Sequence, residues 1–448
     1  MKRVITYGTY DLLHQGHINL LRRAKDLGDY LIVGVTSDSF DRGRGKLNVR
    51  NNVLERVEAV KATGYADDVI IEDYIGQKID DIQKYDIDIF AIGSDWEGKF
   101  DYLNEYCDVV YLPRTQGISS TQLRDETTGV TSIGIIGCGR VALRFPDEAS
   151  LVSGVTFSGC FDIDTDKKLQ FSKKTGLSVF DDVESLIKTS DAIYIATPHL
   201  THYSLIKRCI LAGKHVLCET PMVLQGLQAK ELFELAEKNG VVLMEANKTA
   251  HCPAFNHLIV MIKSGMIGEV VDIDASLSKL WDDDMSLREF DARQAGGSMY
   301  ELGSYPLLPI VRLMGCKYEN LNLYSRLQKG VDMYTKGVFR YPHSTCSFKV
   351  GLGVKTEGNL VISGTKGYAY VPAPWWKTDY FEFRYEDQNQ NKKFFYKWDG
   401  SGLRYEIQEF VSCIINRRFS TARLRRRESI FMADIMERFT ERKNFMMI

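Results

Sequence analysis

No stretch of the chain approaches the roughly 18 consecutive apolar residues of a membrane helix, so no membrane span is predicted. Neither sign of charge is in excess: 57 Lys and Arg against 59 Asp and Glu leave a formal net charge of −2. A protein that grips a nucleic-acid backbone normally carries a clear basic surplus, so no nucleic-acid partner is expected. The arginine-rich tail, Arg417, Arg418 and Arg423 through Arg427, reads against that balance as a solvated helix end. The nine cysteines stand singly, with no CxxC pair. Such a set makes neither a disulfide frame nor a zinc site and reads as reduced thiols. Met1-Lys2-Arg3-Val4-Ile5-Thr6 has a basic start but no apolar segment behind it, so no signal peptide is predicted and a cytoplasmic location is expected. What remains is ordinary: 44% hydrophobic and 26% charged residues supply enough apolar surface for cores, and 448 residues predict two to four domains.

A strand running into a glycine turn and then a helix occurs twice. The first copy is Val4-Ile5-Thr6-Tyr7, Gly8 and a helical stretch His17–Leu27; the second is Ile133-Gly134-Ile135-Ile136, then Gly137-Cys138-Gly139. Parallel α/β domains begin in this way. Apolar runs at 31–35, 68–71, 89–92 and 109–112 complete a first five-stranded domain, and runs at 156–161, 192–196, 215–218 and 241–244 a second. The polar stretch Asp125–Thr131 separates them. Beyond about residue 270, alternating, aromatic-rich segments predict a largely antiparallel sheet. The expected architecture is therefore α/β: residues 1–129, 131–250 and 251–448, the last an α+β domain with an open antiparallel sheet.

The first domain carries His14-Gln15-Gly16-His17 directly after its first strand. Two imidazoles at a helix N-terminus can face one anion, where free N–H groups and the positive dipole end add to them. At the far end stands Arg114-Thr115-Gln116-Gly117-Ile118-Ser119-Ser120-Thr121, a cation with hydroxyls at another helix start. These motifs, with Gly28-Asp29-Tyr30-Leu31 and Asp95–Asp101, closely resemble the glycerol-3-phosphate cytidylyltransferases of the HxGH nucleotidyltransferase superfamily over the whole domain. The resemblance implies cytidylyl transfer from CTP, with Mg²⁺, to glycerol 3-phosphate or a similar polyol phosphate. It implies His14, His17 and Arg114 as catalytic groups. It places Gly8, Thr9, Tyr10, Gly16, Lys46, Thr115, Gly117, Ile118, Ser119 and Ser120 at the nucleotide, and Lys78 and Asp95 at the acceptor. The family's RTEGISTT is altered here at Gln116 and Ser120, which leaves the acceptor open between glycerol phosphate and a longer polyol phosphate.

In the second domain Gly137-Cys138-Gly139-Arg140-Val141-Ala142 is GxGxxA after a strand, and Asp162 follows 25 residues after Gly137. The glycines allow a pyrophosphate to approach a helix N-terminus, and the acidic residue can bind a ribose 2′-OH. Together with Thr197-Pro198-His199-Leu200-Thr201-His202 and Glu219-Thr220-Pro221, this resembles the Gfo/Idh/MocA family of NAD(P)-dependent oxidoreductases over about 131–440. The resemblance implies NAD or NADP held by Gly137, Gly139, Arg140, Val141, Asp162, Thr197, His199, His202 and Glu219. The family's Glu-Lys-Pro lysine is Thr220 in this chain. Loss of one preorganised donor commonly costs about 10²–10³ in rate, so another group is expected to act. Lys248, just beyond a predicted strand, and Tyr305 are the candidates, with the lysine lowering the phenol pKa.

The two resemblances together predict a bifunctional enzyme, in which the reductase supplies a polyol phosphate from a sugar phosphate and the cytidylyltransferase activates it as a CDP-polyol. The alternative keeps only the transferase active, with a redox-silent binding or dimerisation module. Both families imply a homodimer or higher homo-oligomer.

Overall fold

The computed structural model describes residues 1–43, 49, 51–74, 76–113, 130–280, 287–398 and 400–448, apart from the side chains at 39, 42 and 43. The chain divides into two compact units, Met1–Val130 and Thr131–Ile448.

In the first unit five parallel strands are β1 (Arg3–Gly8), β2 (Tyr30–Thr36), β3 (Asp68–Glu72), β4 (Ile89–Gly93) and β5 (Asp108–Leu112), in the order β3-β2-β1-β4-β5. β1 is buried throughout its centre, as a parallel strand covered on both faces must be. The strand order reverses between β1 and β4, and such switch points open a crevice beyond the carboxyl ends of the strands. Gly8–His17 leads out of β1 at that place. The first helix, Gln15–Lys25, begins two residues earlier than the apolar pattern indicated, because His14 caps it.

The second unit opens with β6 (Thr131–Ile136), β7 (Val155–Phe161), β8 (Ala192–Ile195), β9 (His215–Glu219) and β10 (Leu243–Ala246), ordered β10-β9-β8-β6-β7. Its switch point lies between β6 and β8, where Gly137–Gly139 follows β6. The core of this sheet draws in Leu403, Ile407, Phe410 and Val411 from the late helix Leu403–Ile415. That helix is pinned at its start by Glu148. One carboxylate oxygen meets Arg404 Nε at 3.0 Å, and the other meets Arg404 Nη2 at 3.1 Å and the Ser401 amide at 2.8 Å.

Nine strands form the last sheet: β11 (Val270–Ser278), β12 (Asn320–Gln328), β13 (Val331–Tyr341), β14 (Ser344–Gly351), β15 (Leu360–Gly364), β16 (Tyr368–Val371), β17 (Tyr380–Arg384), β18 (Lys392–Phe395) and β19 (Phe445–Met447). Helices Pro253–Lys263, Ser304–Met314 and Arg426–Thr440 pack on it through one continuous apolar core. The sheet is mixed rather than simply antiparallel: β11 pairs parallel with β14, and β12 with β19. Each parallel pair is joined by a long connection carrying helices or further strands, as a parallel pairing requires. No described helix is long and apolar enough to cross a membrane.

Candidate active sites

In the first unit the loop from Gly8 to His17 is shaped by packing from below. Tyr10 takes φ 53° and is 1% exposed. Its ring lies where a Cβ on Gly8 would approach to 3.0 Å, and it meets His17 edge-on at 5.5 Å. Thr9 donates its hydroxyl to Asp41 Oδ1 at 3.0 Å. Both side chains were expected to hold phosphate; the structure turns them to the core, where they support the loop. The imidazoles face each other, with ring centroids 3.9 Å apart. His14 Nδ1 accepts from the Gly16 amide at 3.0 Å, so a neutral ring carries its proton on Nε2. The helix behind them has no acidic residue in its first turn and carries Arg22, Arg23 and Lys25 in its last. Its N-terminal dipole end is thus left for a ligand anion.

One residue that the motif reading missed organises this loop. Arg56 is fully buried. Its Nη1 donates to the carbonyls of Thr9 at 2.7 Å and Thr36 at 2.8 Å and lies 3.2 Å from Asp41 Oδ2. Its Nη2 reaches Asp38 at 2.6 Å, and its Nε the Asn51 carbonyl at 2.9 Å. Lys78 is paired with Glu72 and lies 4.5 Å from the Tyr7 ring centroid, buried rather than set out at the surface. Asp95 is exposed in a short turn after β4. Lys46, Arg114, Thr115, Gly117, Ile118, Ser119 and Ser120 lie outside the described residues.

In the second unit a cavity of about 1030 Å³ opens at the β6–β8 switch point. Gly137, Gly139, Arg140, Val141, Asp162, Thr197, His199, His202, Glu219 and Tyr305 all line it. Gly137 has φ 97°, and a Cβ there would come within 2.4 Å of the Ala196 carbonyl oxygen; a Cβ on Gly139 would meet nothing within 4 Å. The first glycine is therefore needed by the turn itself, while the second leaves open space. Asp162 accepts from the amides of Cys138 at 2.8 Å and Asp164 at 2.9 Å, which fixes its carboxylate beside the glycine loop. These features fit a dinucleotide cofactor, which would bring hydride chemistry to the cavity.

The other wall comes from the segment before Tyr305. Glu301 Oε1 accepts from Arg288 Nη2 at 2.8 Å and sits 3.0 Å from His199 Nε2. Burial raises the Glu301 pKa, but the His199 hydrogen bond and the His199 and Arg288 charges together bring it below the usual carboxylate range. His202 is fully buried, its ring nitrogens at 3.0 Å from the Pro221 carbonyl and 2.8 Å from that of Thr197. Burial, helped by His199, outweighs those bonds and pushes its pKa down to about 4. The neutral ring has one N–H and donates to one of these two carbonyls at a time.

Thr220 donates its hydroxyl to Glu245 Oε1 at 2.9 Å. No hydrogen bond joins Tyr305 and Lys248 among the described residues. Lys248 is absent from the described residues lining the cavity. Burial pushes the Tyr305 phenol up instead of down. Among the arginines of the tail, Arg423 departs from the solvated reading: its Nη1 donates to the His251 carbonyl at 3.1 Å and its Nε lies 3.7 Å from Glu409.

The family of cytidylyltransferase-like proteins matches residues 5–126. The NAD-binding Rossmann fold of the Gfo/Idh/MocA oxidoreductase family matches 131–247, and that family's C-terminal domain 255–370. Glycerol-3-phosphate cytidylyltransferase of Staphylococcus aureus is 51% identical over 129 residues, 29% of this chain and 97% of that protein. The chain is a cytidylyltransferase-like domain fused to a Gfo/Idh/MocA oxidoreductase. Within the oxidoreductase part, trans-1,2-dihydrobenzene-1,2-diol dehydrogenase of Oryctolagus cuniculus is 29% identical over 284 residues, 60% of this chain and 84% of that protein. Two solved structures share the fold of the oxidoreductase. One is a 3-ketoreductase from Actinomadura kijaniata in complex with NADP: TM-score 0.64, 20% identity, 71% of this chain and 100% of that one. The other is a levoglucosan dehydrogenase with NADH and levoglucosan: TM-score 0.62, 17% identity, 69% and 96%.

Proposed function

We propose that the fused enzyme makes a CDP-polyol. The cytidylyltransferase domain transfers the cytidylyl group of CTP to a polyol phosphate, glycerol 3-phosphate or a near relative, and releases diphosphate. The oxidoreductase supplies that polyol phosphate by reducing a keto- or aldo-sugar phosphate. The observation that carries this reading is the union in one chain of the two units. One has relatives named for glycerol 3-phosphate; the other has a cavity lined by a glycine loop and a fixed aspartate. A reductase product of that class is the acceptor that the transferase needs.

His14 and His17 hold the phosphates of CTP at the helix N-terminus, where charge builds as the α–β bond breaks. By the same reading Arg114, Thr115, Ser119, Ser120 and Lys46 are assigned to the nucleotide, and Asp95, with Lys78 held by Glu72, to the acceptor. Mg²⁺ enters with the triphosphate: among the described residues no group of three or more His, Cys, Asp or Glu stands ready to hold an ion, and this metal is commonly bound through substrate phosphates. Asp162 favours NAD, since its carboxylate can accept from a ribose 2′-OH. The chain acts on small molecules in the cytoplasm as a homodimer or higher homo-oligomer.

A panel of glycerone, ribulose and fructose phosphates with CTP and NADH or NADPH tests the reading. Consumption of dihydronicotinamide coupled to diphosphate release is expected. Thr220 favours a second reading, since its hydroxyl is donated to Glu245 and no lysine stands there. In that reading only the transferase is active, and the protein binds neither NADH nor NADPH productively.

A further inference from the structure

Behind the wall of the oxidoreductase cavity lies a group of titratable side chains that cofactor binding does not explain. Glu219 ends β9 and lines the cavity. Its Oε1 accepts a close hydrogen bond from the Tyr194 hydroxyl on β8. Tyr194 is itself fully buried, stacked on Phe145 with ring centroids 3.8 Å apart. Lys248 and Glu406 act on Glu219 from behind. Glu406 comes from the helix that Glu148 pins in place, is 0% exposed, and has no hydrogen-bond partner for either carboxyl oxygen among the described residues. Glu245 on β10, Cys218 and Tyr305 complete the groups facing Glu219.

Three carboxyl groups and one amine share this interior. With all four ionised, two negative charges would stand uncompensated away from water, so the set keeps protons instead. Burial pushes Glu219 up, against the Tyr194 hydrogen bond and the Lys248 charge. It pushes Glu245 up as well, Glu406 far up, and Lys248 down. Of these three glutamates, Glu219 is the one that lines the cavity.

We propose that Glu219 is the acid–base residue of the oxidoreductase, doing from the cavity wall what the absent lysine at position 220 cannot. This rests on reading the unit as a carbonyl reductase. The other candidates are less suited. The Thr220 proton is given to Glu245. The Tyr305 phenol is held protonated by burial. When bound, a dihydronicotinamide supplies the hydride that goes to the carbonyl carbon of the substrate. The π electron pair of the C=O bond moves to oxygen, and the Glu219 carboxyl gives that oxygen its proton. The product is an alcohol and Glu219 is left as a carboxylate. Lys248 steadies that carboxylate, and a proton from solvent in the open cavity restores the acid. In alcohol oxidation the carboxylate takes the proton back.

The test uses the full chain as wild type, Glu219→Gln and Glu219→Asp. Infrared difference spectra of the ligand-free proteins read protonated carboxyl groups at about pH 6, where an exposed glutamate is ionised. Fluorescence reads NADH and NADPH binding. Glyceraldehyde 3-phosphate and dihydroxyacetone phosphate serve as carbonyl probes. A protonated-carboxyl band that Glu219→Gln removes and Glu219→Asp keeps is expected; the cofactor titration of each variant sets the saturating concentration at which its kcat is read. The kcat of Glu219→Gln should fall about 10²–10³-fold, with little change in KM, and Glu219→Asp should recover part of the loss. A Glu219→Gln protein with wild-type kcat and cofactor binding overturns the proposal alone. A wild type that binds neither cofactor overturns the reductase reading and the proposal with it. If wild type binds cofactor but reduces neither probe, the infrared band decides: its presence supports the proposal and its absence overturns it.

Discussion

Replacing Arg56 by methionine tests the account of the cytidylyltransferase site most sharply. Methionine keeps much of the side-chain volume but removes every donor. The carbonyls of Thr9 and Thr36 then lose their partner at 2.7 and 2.8 Å, and Asp41, 0% exposed, loses the cation 3.2 Å from its carboxylate. Removing one member of a buried ion pair costs about 3–5 kcal/mol, because the remaining charge stays buried and uncompensated. In a unit of about 130 residues that corresponds to a fall of roughly 10–20 °C in melting temperature. Function should suffer beyond stability. The loop that presents His14 and His17 loses the Arg56 bond to the Thr9 carbonyl, and Asp41, which accepts from Thr9 Oγ1, is no longer fixed by the guanidinium. Diphosphate release from CTP and glycerol 3-phosphate, assayed well below the lowered melting point, should drop at least about 30-fold, the equivalent of roughly 2 kcal/mol. Lys61→Ala is the control, since that lysine makes only an exposed pair with Glu58 and should change stability by less than about 0.5 kcal/mol. An Arg56→Met protein with wild-type melting and transfer rate refutes the argument that this arginine holds the phosphate loop.

The oxidoreductase unit gives three further expectations. Gly137→Ala forces a side chain to within 2.4 Å of a carbonyl oxygen at φ 97°. It should lose about 1–3 kcal/mol of stability and weaken NADH in a fluorescence titration, whereas Gly139→Ala, with open space around it, should melt as wild type yet still weaken NADH. His202 has a folded-state pKa of about 4, below its unfolded value, so the native state takes up its proton less readily. Its contribution is complete above about pH 6.5 and is lost as pH falls toward 4, about 3 kcal/mol in all; urea unfolding from pH 7 to 4 should show that slope flattened in His202→Gln. Thr220→Val removes the donor to Glu245 and should cost about 1–2 kcal/mol in urea unfolding while leaving cofactor affinity within twofold.

The sheets were largely legible because their strands read as unbroken apolar runs and their glycine turns stand at the first strand of each unit. Every predicted strand of the two parallel sheets is present, and the GxGxxA loop and Asp162 meet at one cavity. The last sheet was read less well. β15, β16, β18 and β19 are only three to five residues long, too short to show alternation. The parallel β11–β14 pairing depends on a long connection whose path no local pattern encodes. At the sites, motif spacing located the loops but not the direction of each side chain: Tyr10 sits in the HxGH loop and still points into the core.

The residues that motif reading passed over share a different mark. In helix Val53–Ala62 one inward row is Val53, Arg56, Val57 and Val60; in helix Leu403–Ile415 one inward row is Leu403, Glu406, Ile407 and Phe410. Each row has the spacing of an apolar stripe with one charge set into it. Such a charge destabilises the fold unless something fixes or neutralises it. The two solve the problem in opposite ways, and their chemistry decides which. A guanidinium cannot give up its charge in a protein, so Arg56 must be surrounded by acceptors, and one of those acceptors is the Thr9 carbonyl of the phosphate loop. A carboxyl can keep its proton, so Glu406 can lie without a hydrogen-bond partner among the described residues, as a neutral acid behind Glu219. A permanent charge in the stripe thus serves as a structural clamp, and a titratable one is tolerated in its neutral form. In each unit the helix that carries it stands directly behind the site.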